Sequence, residues 1–287
     1  MTQAVQLKTA EAKPNPKIEQ EPAGSATIPL LPKRSTRNWI AVPLALAASW
    51  LFAITLVLPE QASLWDDYLS DYHTGTGEQR TIQLADGSQL LLNTDTAVSV
   101  DYQDTSRQII LHHGQAQFTV AKDKTRPFTV SAGELQVQAL GTVFEVYRKS
   151  SGDIDVSVQE HTVAASLTAD GDRLKTSASP TFIQQDQQLH YTQSSGTLNP
   201  PEMINSELSG AWHQHRVIVK DQPLGELIAE IERYRPGRIF LGGNDLSKLR
   251  VTGLFSLADP EASLEKVRTI LGLKETRLGS WWVVLHR

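Results

Sequence analysis

The sequence predicts a mainly β chain that ends in a small α/β domain and is anchored by one apolar helix. Three observations carry this reading. Short apolar runs recur between residues 80 and 167, separated by turn residues. Beyond residue 216 the apolar spacing changes from about two to about 3.6 in two places. From Trp39 to Leu58 the chain reads WIAVPLALAASWLFAITLVL without a charge.

The apolar run comes first in the chain. At 1.5 Å per helical residue, ~20 residues span the ~30 Å hydrocarbon layer of a bilayer. Pro43 falls in its first turn, where the missing N–H is tolerated. Lys33, Arg34 and Arg37 precede the run, and Glu60, Asp66 and Asp67 follow it. The positive-inside rule therefore places residues 1–38 in the cytoplasm and the rest outside. A cleaved signal peptide fits less well, because Leu58-Pro59-Glu60-Gln61-Ala62 lacks the small-residue cleavage pattern. A buried core helix would carry a polar stripe, which is missing here.

Charge divides at the same place. Residues 1–38 hold six basic and three acidic side chains, a net of +3; the remaining 21 basic and 29 acidic leave −8. The tail has five prolines and no apolar period, so disorder is expected. Residues 59–75, with Asp66, Asp67, Asp71 and Glu78 nearby, read as a solvated juxtamembrane stem. Those carboxylates lack an apolar pocket that would tune them for acid–base work.

Residues 76–195 read as an all-β module. Arg80–Leu84 alternates, Ala85-Asp86-Gly87-Ser88 turns, and Leu90–Leu92 resumes. Further runs are Val98–Val100, Gln108–Leu111, Ala116–Val120, Phe128–Val130, Leu135–Val137, Val143–Val146 and Ile154–Val158. Spacing of this kind marks a sandwich, barrel or coil. Gly87, Gly114 and Gly141 stand where turns or bulges need φ > 0. A pair at Thr181–Gln185 and Gln188–Thr192 precedes a linker over 196–211 that contains Pro200-Pro201.

Residues 212–287 read as β-α-β-β-α-β-β. Arg216–Val219 is a strand, and Asp221-Gln222-Pro223 offers a cap with Pro in the first helical turn. Leu224, Leu227, Ile228 and Ile231 form one helix face, closed by Pro236-Gly237. Strands Arg238–Leu241 and Arg250–Phe255 follow. Asp259-Pro260 starts a second helix with Leu264, Val267, Ile270 and Leu271 inward and Gly272 at its end. Strands Leu273–Leu278 and Trp281–His286 finish the domain. One indole of Trp281-Trp282 must face away from the core, and that indole, Trp281 or Trp282, is the candidate partner contact.

Chemistry-bearing motifs do not emerge. The chain has no Cys, which excludes disulfides, thiolate metal sites, Cys nucleophiles and iron–sulfur clusters. Net charge −5 and a pI near 5.9 argue against nucleic-acid binding through broad phosphate contacts. No G-x-S-x-G, Walker A, H-E-x-x-H or G-x-G-x-x-G run occurs. His213 and His215 would share a face in an extended stretch, yet no third ligand accompanies them, and they read as solvated. His112 and His113 would point to opposite faces of a strand. No catalytic residue, metal or cofactor is expected, and the residues by themselves describe a membrane-anchored binding protein.

Several runs resemble the FecR family of membrane-spanning regulators of iron-siderophore uptake. They are Arg80…Leu84-Ala85-Asp86-Gly87-Ser88…Leu92-Asn93, Arg107…Leu111…Gly114-Gln115-Ala116…Phe118-Thr119-Val120, Arg126-Pro127-Phe128-Thr129-Val130 and Ala139-Leu140-Gly141-Thr142-Val143-Phe144-Glu145-Val146. Trp212, Asp221-Gln222-Pro223-Leu224-Gly225-Glu226, Arg233-Tyr234-Arg235 and Val251-Thr252-Gly253-Leu254-Phe255 extend the likeness to an end domain similar to the short signalling modules of secretins and TonB-dependent receptors. The positions that carry it are Asp86, Gly87, Ser88, Asn93, Arg126, Pro127, Phe128, Gly141, Thr142, Phe144, Pro223, Leu224, Tyr234 and Gly253.

The resemblance implies a bacterial inner-membrane signal transducer with a cytoplasmic N-terminus and periplasmic C-terminal domains. Its partners would be the periplasmic signalling domain of a TonB-dependent receptor and an extracytoplasmic-function sigma factor, the latter reached through residues 1–38. In some relatives, cleavage within the membrane region releases the cytosolic piece. The family usually carries a longer helical cytosolic domain than Met1–Asn38. The tail folds on the sigma factor, or the reading frame starts upstream, or the anti-sigma role has been lost. From another class, the same end domain would suit a periplasmic structural adaptor of a secretin or envelope assembly.

Overall fold

A computed structural model describes residues 70–168, 179–205, 209–279 and 281–287. The expected tail, the 39–58 helix and Asp66-Asp67 lie outside the described residues, among which no helix is long and apolar enough to cross a membrane. The β module and the C-terminal domain belong to one unit, Thr55–Arg287.

The β module runs through β1 (Tyr72–Thr74), β2 (Arg80–Gln83), β3 (Gln89–Leu92), β4 (Thr96–Tyr102), β5 (Arg107–Thr119), β6 (Phe128–Ala132), β7 (Leu135–Ala139) and β8 (Val143–Arg148). It continues with β9 (Ile154–Glu160), β10 (Thr162–Leu167), β11 (Thr181–Gln184), β12 (Gln187–Thr192), β13 (Thr197–Leu198) and β14 (Glu202–Met203). The two runs expected at 108–111 and 116–120 are one strand, β5, which serves two sheets. Its first half pairs antiparallel with β4 and parallel with β6, and its second half pairs antiparallel with β3 and β8. One sheet follows the order β1-β4-β5-β6-β7-β10-β11 and the other β2-β3-β5-β8-β9-β12. Leu90, Leu92, Ile109, Leu111, Phe118, Phe128, Phe144 and Val156 meet in a single core fed by both sheets. Phe118 stacks on Phe144 at 5.1 Å and meets Phe128 edge-on at 6.1 Å.

Gly114 sits at the pivot of β5 with φ +86°. A Cβ there would lie 2.3 Å from Thr96 Oγ1 and 2.4 Å from the Asp95 carbonyl oxygen. Gly114→Ala is therefore expected to cost about 2–4 kcal/mol, combining left-handed strain with overpacking. The check is a lower urea midpoint at constant slope, and an unchanged midpoint would refute it.

Stretches expected outside the module contribute to it. β1, inside the expected stem, pairs with β4, and Asp71 accepts the Val100 N–H at 2.7 Å. β13 and β14, inside the expected 196–211 linker, pair with β12.

The C-terminal domain starts with a 3-10 turn, Gly210–Gln214. It continues with β15 (Arg216–Pro223), α1 (Leu224–Arg233), β16 (Arg238–Leu241), α2 (Asn244–Ser247), β17 (Arg250–Ser256), α3 (Pro260–Leu271), β18 (Lys274–Leu278) and β19 (Trp282–His286). β15 pairs with β17; β16, β19 and β18 form a second sheet with β16 and β19 parallel. Leu224, Leu227, Ile228 and Ile231 are all buried, as their spacing requires. Asp259 caps α3 by accepting the Ala262 N–H at 2.9 Å, Pro260 opens it and Gly272 closes it in the left-handed region.

Three expectations change here. Asp221 does not cap α1: β15 bulges between Val219 and Gln222 and carries on to Pro223, while the Asp221 carboxylate pairs with Arg250. Ile270 is 58% exposed, because six residues after Leu264 it is rotated by about 240° and lands on the flank of α3. Neither Trp281 nor Trp282 enters the core. Val283 and Leu285 take the inward positions of β19, so period two sends Trp282 to the outer face beside Phe240. Trp281 sits before the strand and is exposed.

Candidate functional site

Most of the residues singled out in the sequence separate into two places. The first is a cage within the β module. The guanidinium of Arg107 is fully buried and donates to Asp86 Oδ2 (2.6 Å) and to the carbonyls of Ala121 (3.1 Å), Arg126 (3.0 Å) and Asp123 (3.4 Å). Its carbon lies 5.4 Å from the ring centre of Phe128. Gly87, at φ +84°, makes the turn that brings Asp86 and Ser88 round to face it. Ser88 Oγ donates to Asp86 and accepts the Ala121 N–H, and the Pro127 carbonyl accepts the Arg107 N–H. Arg126 pairs with Asp123. Burial alone would raise the Asp86 carboxyl, but hydrogen bonds from Ser88, Arg107 and Tyr102 outweigh it and hold the group below its ordinary value. Gly141, Thr142 and Phe144 line the start of β8; the Thr142 carbonyl accepts the Val120 N–H, and Phe144 enters the core.

The second place is the junction of the two domains, on the outer face of the β2-β3-β5-β8-β9 sheet. There Glu145 is 5% exposed. Its Oε1 accepts from Gln115 Nε2 (2.5 Å) and its Oε2 from Trp212 Nε1 (2.7 Å). Asn93 binds across the junction: its Oδ1 accepts from Tyr234 (2.7 Å) and Gln79 (3.0 Å), while its Nδ2 donates to Gln115 (2.8 Å). Gln79 also reaches the Trp212 carbonyl, and Thr94 Oγ1 reaches that of Arg233. Arg233 donates to Gln115 and to Glu230, with its guanidinium 4.2 Å from the centre of the Tyr147 ring. Trp212, Tyr234 and Leu257 pack together against Leu91 and Val217. Burial pushes the Glu145 carboxyl up to about 7, only partly offset by the Trp212 and Gln115 hydrogen bonds and the Arg233 charge.

Of the motif positions, Asn93 and Tyr234 thus bond to each other across 141 residues of chain. Pro223 and Leu224 form the strand-to-helix step, with the Leu224 N–H on the Leu249 carbonyl, and Gly253 lies in β17 beside the Phe255 ring. His213 is not solvated as expected: it lies partly buried, with Nε2 3.8 Å from Glu145 Oε2. His215 sits at the left-handed end of the 3-10 turn, so the two do not share an extended strand face. His112 bonds Ser99 Oγ, and His113 lies 3.9 Å from Asp95. Among the described residues, no three His, Cys, Asp or Glu side chains converge on a metal-sized space. Glu145 and Gln115 went unnominated in the sequence, although a lone acid inside Val143-Phe144-Glu145-Val146 was the available signal.

The described fold is shared with two crystal structures of a candidate anti-sigma factor from Parabacteroides distasonis. The first superposes with a TM-score of 0.63 at 22% identity, covering 76% of this chain and 99% of the other. The second gives 0.60 at 21% identity, with 75% and 97% coverage. No curated protein matches the chain. Residues 70–164 match the family described as FecR protein.

Proposed function

We propose that this chain is a regulator of a sigma factor, held in a bacterial inner membrane by residues 39–58 with its β module and C-terminal domain in the periplasm. Its described residues would receive a signal from the periplasmic signalling domain of an outer-membrane TonB-dependent receptor. Residues 1–38 would pass that signal to an extracytoplasmic-function sigma factor controlling iron-siderophore uptake. The observation that carries this reading is the FecR-matching module joined, through a polar junction, to a βαββαββ unit with an open sheet face. The fold shared with a candidate anti-sigma factor supports the regulatory part.

The surface suited to a protein partner is the outer face of the β16-β19-β18 sheet. Trp282 lies there in register with Leu278, the Phe240 ring meets Trp282 edge-on at 6.3 Å, and exposed Trp281 stands at the adjoining turn. Aromatic anchors of this kind commonly supply ≥ 2 kcal/mol each to an interface. The test is capture by the full chain in detergent. Wild type should retain the receptor signalling domain, and the Phe240→Ser/Trp282→Ser pair should weaken that by at least about 30-fold. Retention of secretin subunits in place of the receptor domain would favour the adaptor role. Equal capture by the variant would remove this face from the interface.

A further inference from the structure

Glu145 is buried in an unusual way. It stands on the face of β8 that an alternating strand normally gives to water, in register with Gln117 of β5 and Ser157 of β9. The C-terminal domain covers it there. Buried carboxylates usually gain a direct cation. Here both oxygens are bound by neutral donors, Gln115 from the β module and Trp212 from the C-terminal domain.

The surrounding charges do not replace that cation. Arg233 of α1 faces the site but spends its hydrogen bonds on Glu230, also of α1, and on Gln115, which stands between it and Glu145. Tyr147, on the same strand, lies under the Arg233 guanidinium. Asp155 of β9 is held by Lys149 and His190. From the 3-10 turn, His213 brings its Nε2 to 3.8 Å from Glu145 Oε2. A cleft of about 790 Å³ between the domains, lined by Glu145, Trp212, Arg216 and Arg233, gives protons a path to the group.

We propose that the junction is a proton-linked latch: docking of the C-terminal domain on the β module takes up a proton at Glu145, and the two domains hold together more tightly as the pH falls below neutral. The argument is one of solvation. A carboxylate shut in with neutral donors loses its water without an ion pair to offset the cost, whereas the protonated acid loses far less. The sign follows by linkage. Burial raises this carboxyl from 4.5 to about 7, so its contribution to docking is fully present below 4.5 and is lost as the pH rises through about 7. His213 acts in the opposite sense, since burial lowers its pKa and docking disfavours its charged form. The latch is independent of which partner the chain serves.

The test uses the full chain in detergent micelles. Hydrogen exchange of the Trp212 indole N–H and the Arg233 and Tyr234 amides is followed from about pH 8 to about pH 5, corrected for intrinsic exchange. Protection in wild type should rise on the order of 70-fold over that range. Glu145→Gln should flatten the dependence, and His213→Asn should preserve or steepen it. Corrected protection that does not change with pH in wild type, or an unaltered slope in Glu145→Gln, would overturn the proposal. Should Glu145→Gln fail to fold, the carboxyl carbon of Glu145 is titrated by NMR in wild type. A midpoint near 7 supports the latch, and one near 4.5 rejects it.

Discussion

Arg107→Ala is expected to destabilise the β module by about 3–5 kcal/mol, the usual penalty for removing one partner of a buried ion pair. The guanidinium fills a closed space against Phe128 and bonds one carboxylate and three carbonyls. Deleting it leaves all four acceptors short of a donor. Arg107→Lys should recover only part of the loss, because an ammonium on a flexible stem cannot reproduce the planar fork that reaches Asp86, Ala121 and Arg126 together. The pH response adds a second signature. Because the Asp86 carboxyl is held below 3.8 in the fold, its contribution to stability is present above that value and disappears as the pH falls through the lowered one. In Arg107→Ala that acid-side loss should shrink. Urea denaturation across the acid range reads both effects, and midpoints indistinguishable from wild type at every pH would contradict the assignment.

The residues explain why some of this was legible and some was not. The two longer helices could be read because Leu224, Leu227, Ile228 and Ile231 set a helical period and because Asp259-Pro260 is a cap with a mechanism. Most strands of the module could be read because alternation and turn glycines agreed. β5 was split in two because Gly114 looks like a turn, while its positive φ serves a pivot inside one strand. Strands of two or three residues, such as β1, β13 and β14, are too short to show any period. The site was harder still. Glu145 has the appearance of an outward, solvated position in an alternating strand, and nothing local says that its face is covered. What covers it is Trp212, 67 residues later, and coverage by a second domain leaves no mark on the strand's own pattern. The motif positions were recognisable, but their division into an Arg107 cage and a domain junction depends on these long-range contacts.

Trp212→Ala should act on the junction without dissolving either core. The indole is buried between Tyr234, Leu257, Leu91 and Val217, so truncation to Ala carries about 3–5 kcal/mol of packing loss. It also removes the donor to Glu145 Oε2, which leaves a buried carboxylate oxygen short of one partner at a further cost of about 1–3 kcal/mol. None of these contacts belongs to the Phe118–Phe128–Phe144 core of the module, and only Val217 also packs against the core built on α1, α3 and β19. The expected result is therefore uncoupling. In calorimetry of the full chain, a transition shared by both domains in wild type should separate into two in the variant. The β module's midpoint should stay near the wild-type value and the C-terminal domain's should move down. Trp212→Phe keeps most of the packing and loses only the N–H, so its effect should be limited to the hydrogen-bond share, and the transition should stay single. If Trp212→Ala instead lowered both domains together, the indole would be part of a common core; if it lowered neither, the junction would be contact without coupling. The difference between the Ala and Phe variants isolates how much of the coupling is packing and how much is the bond to Glu145.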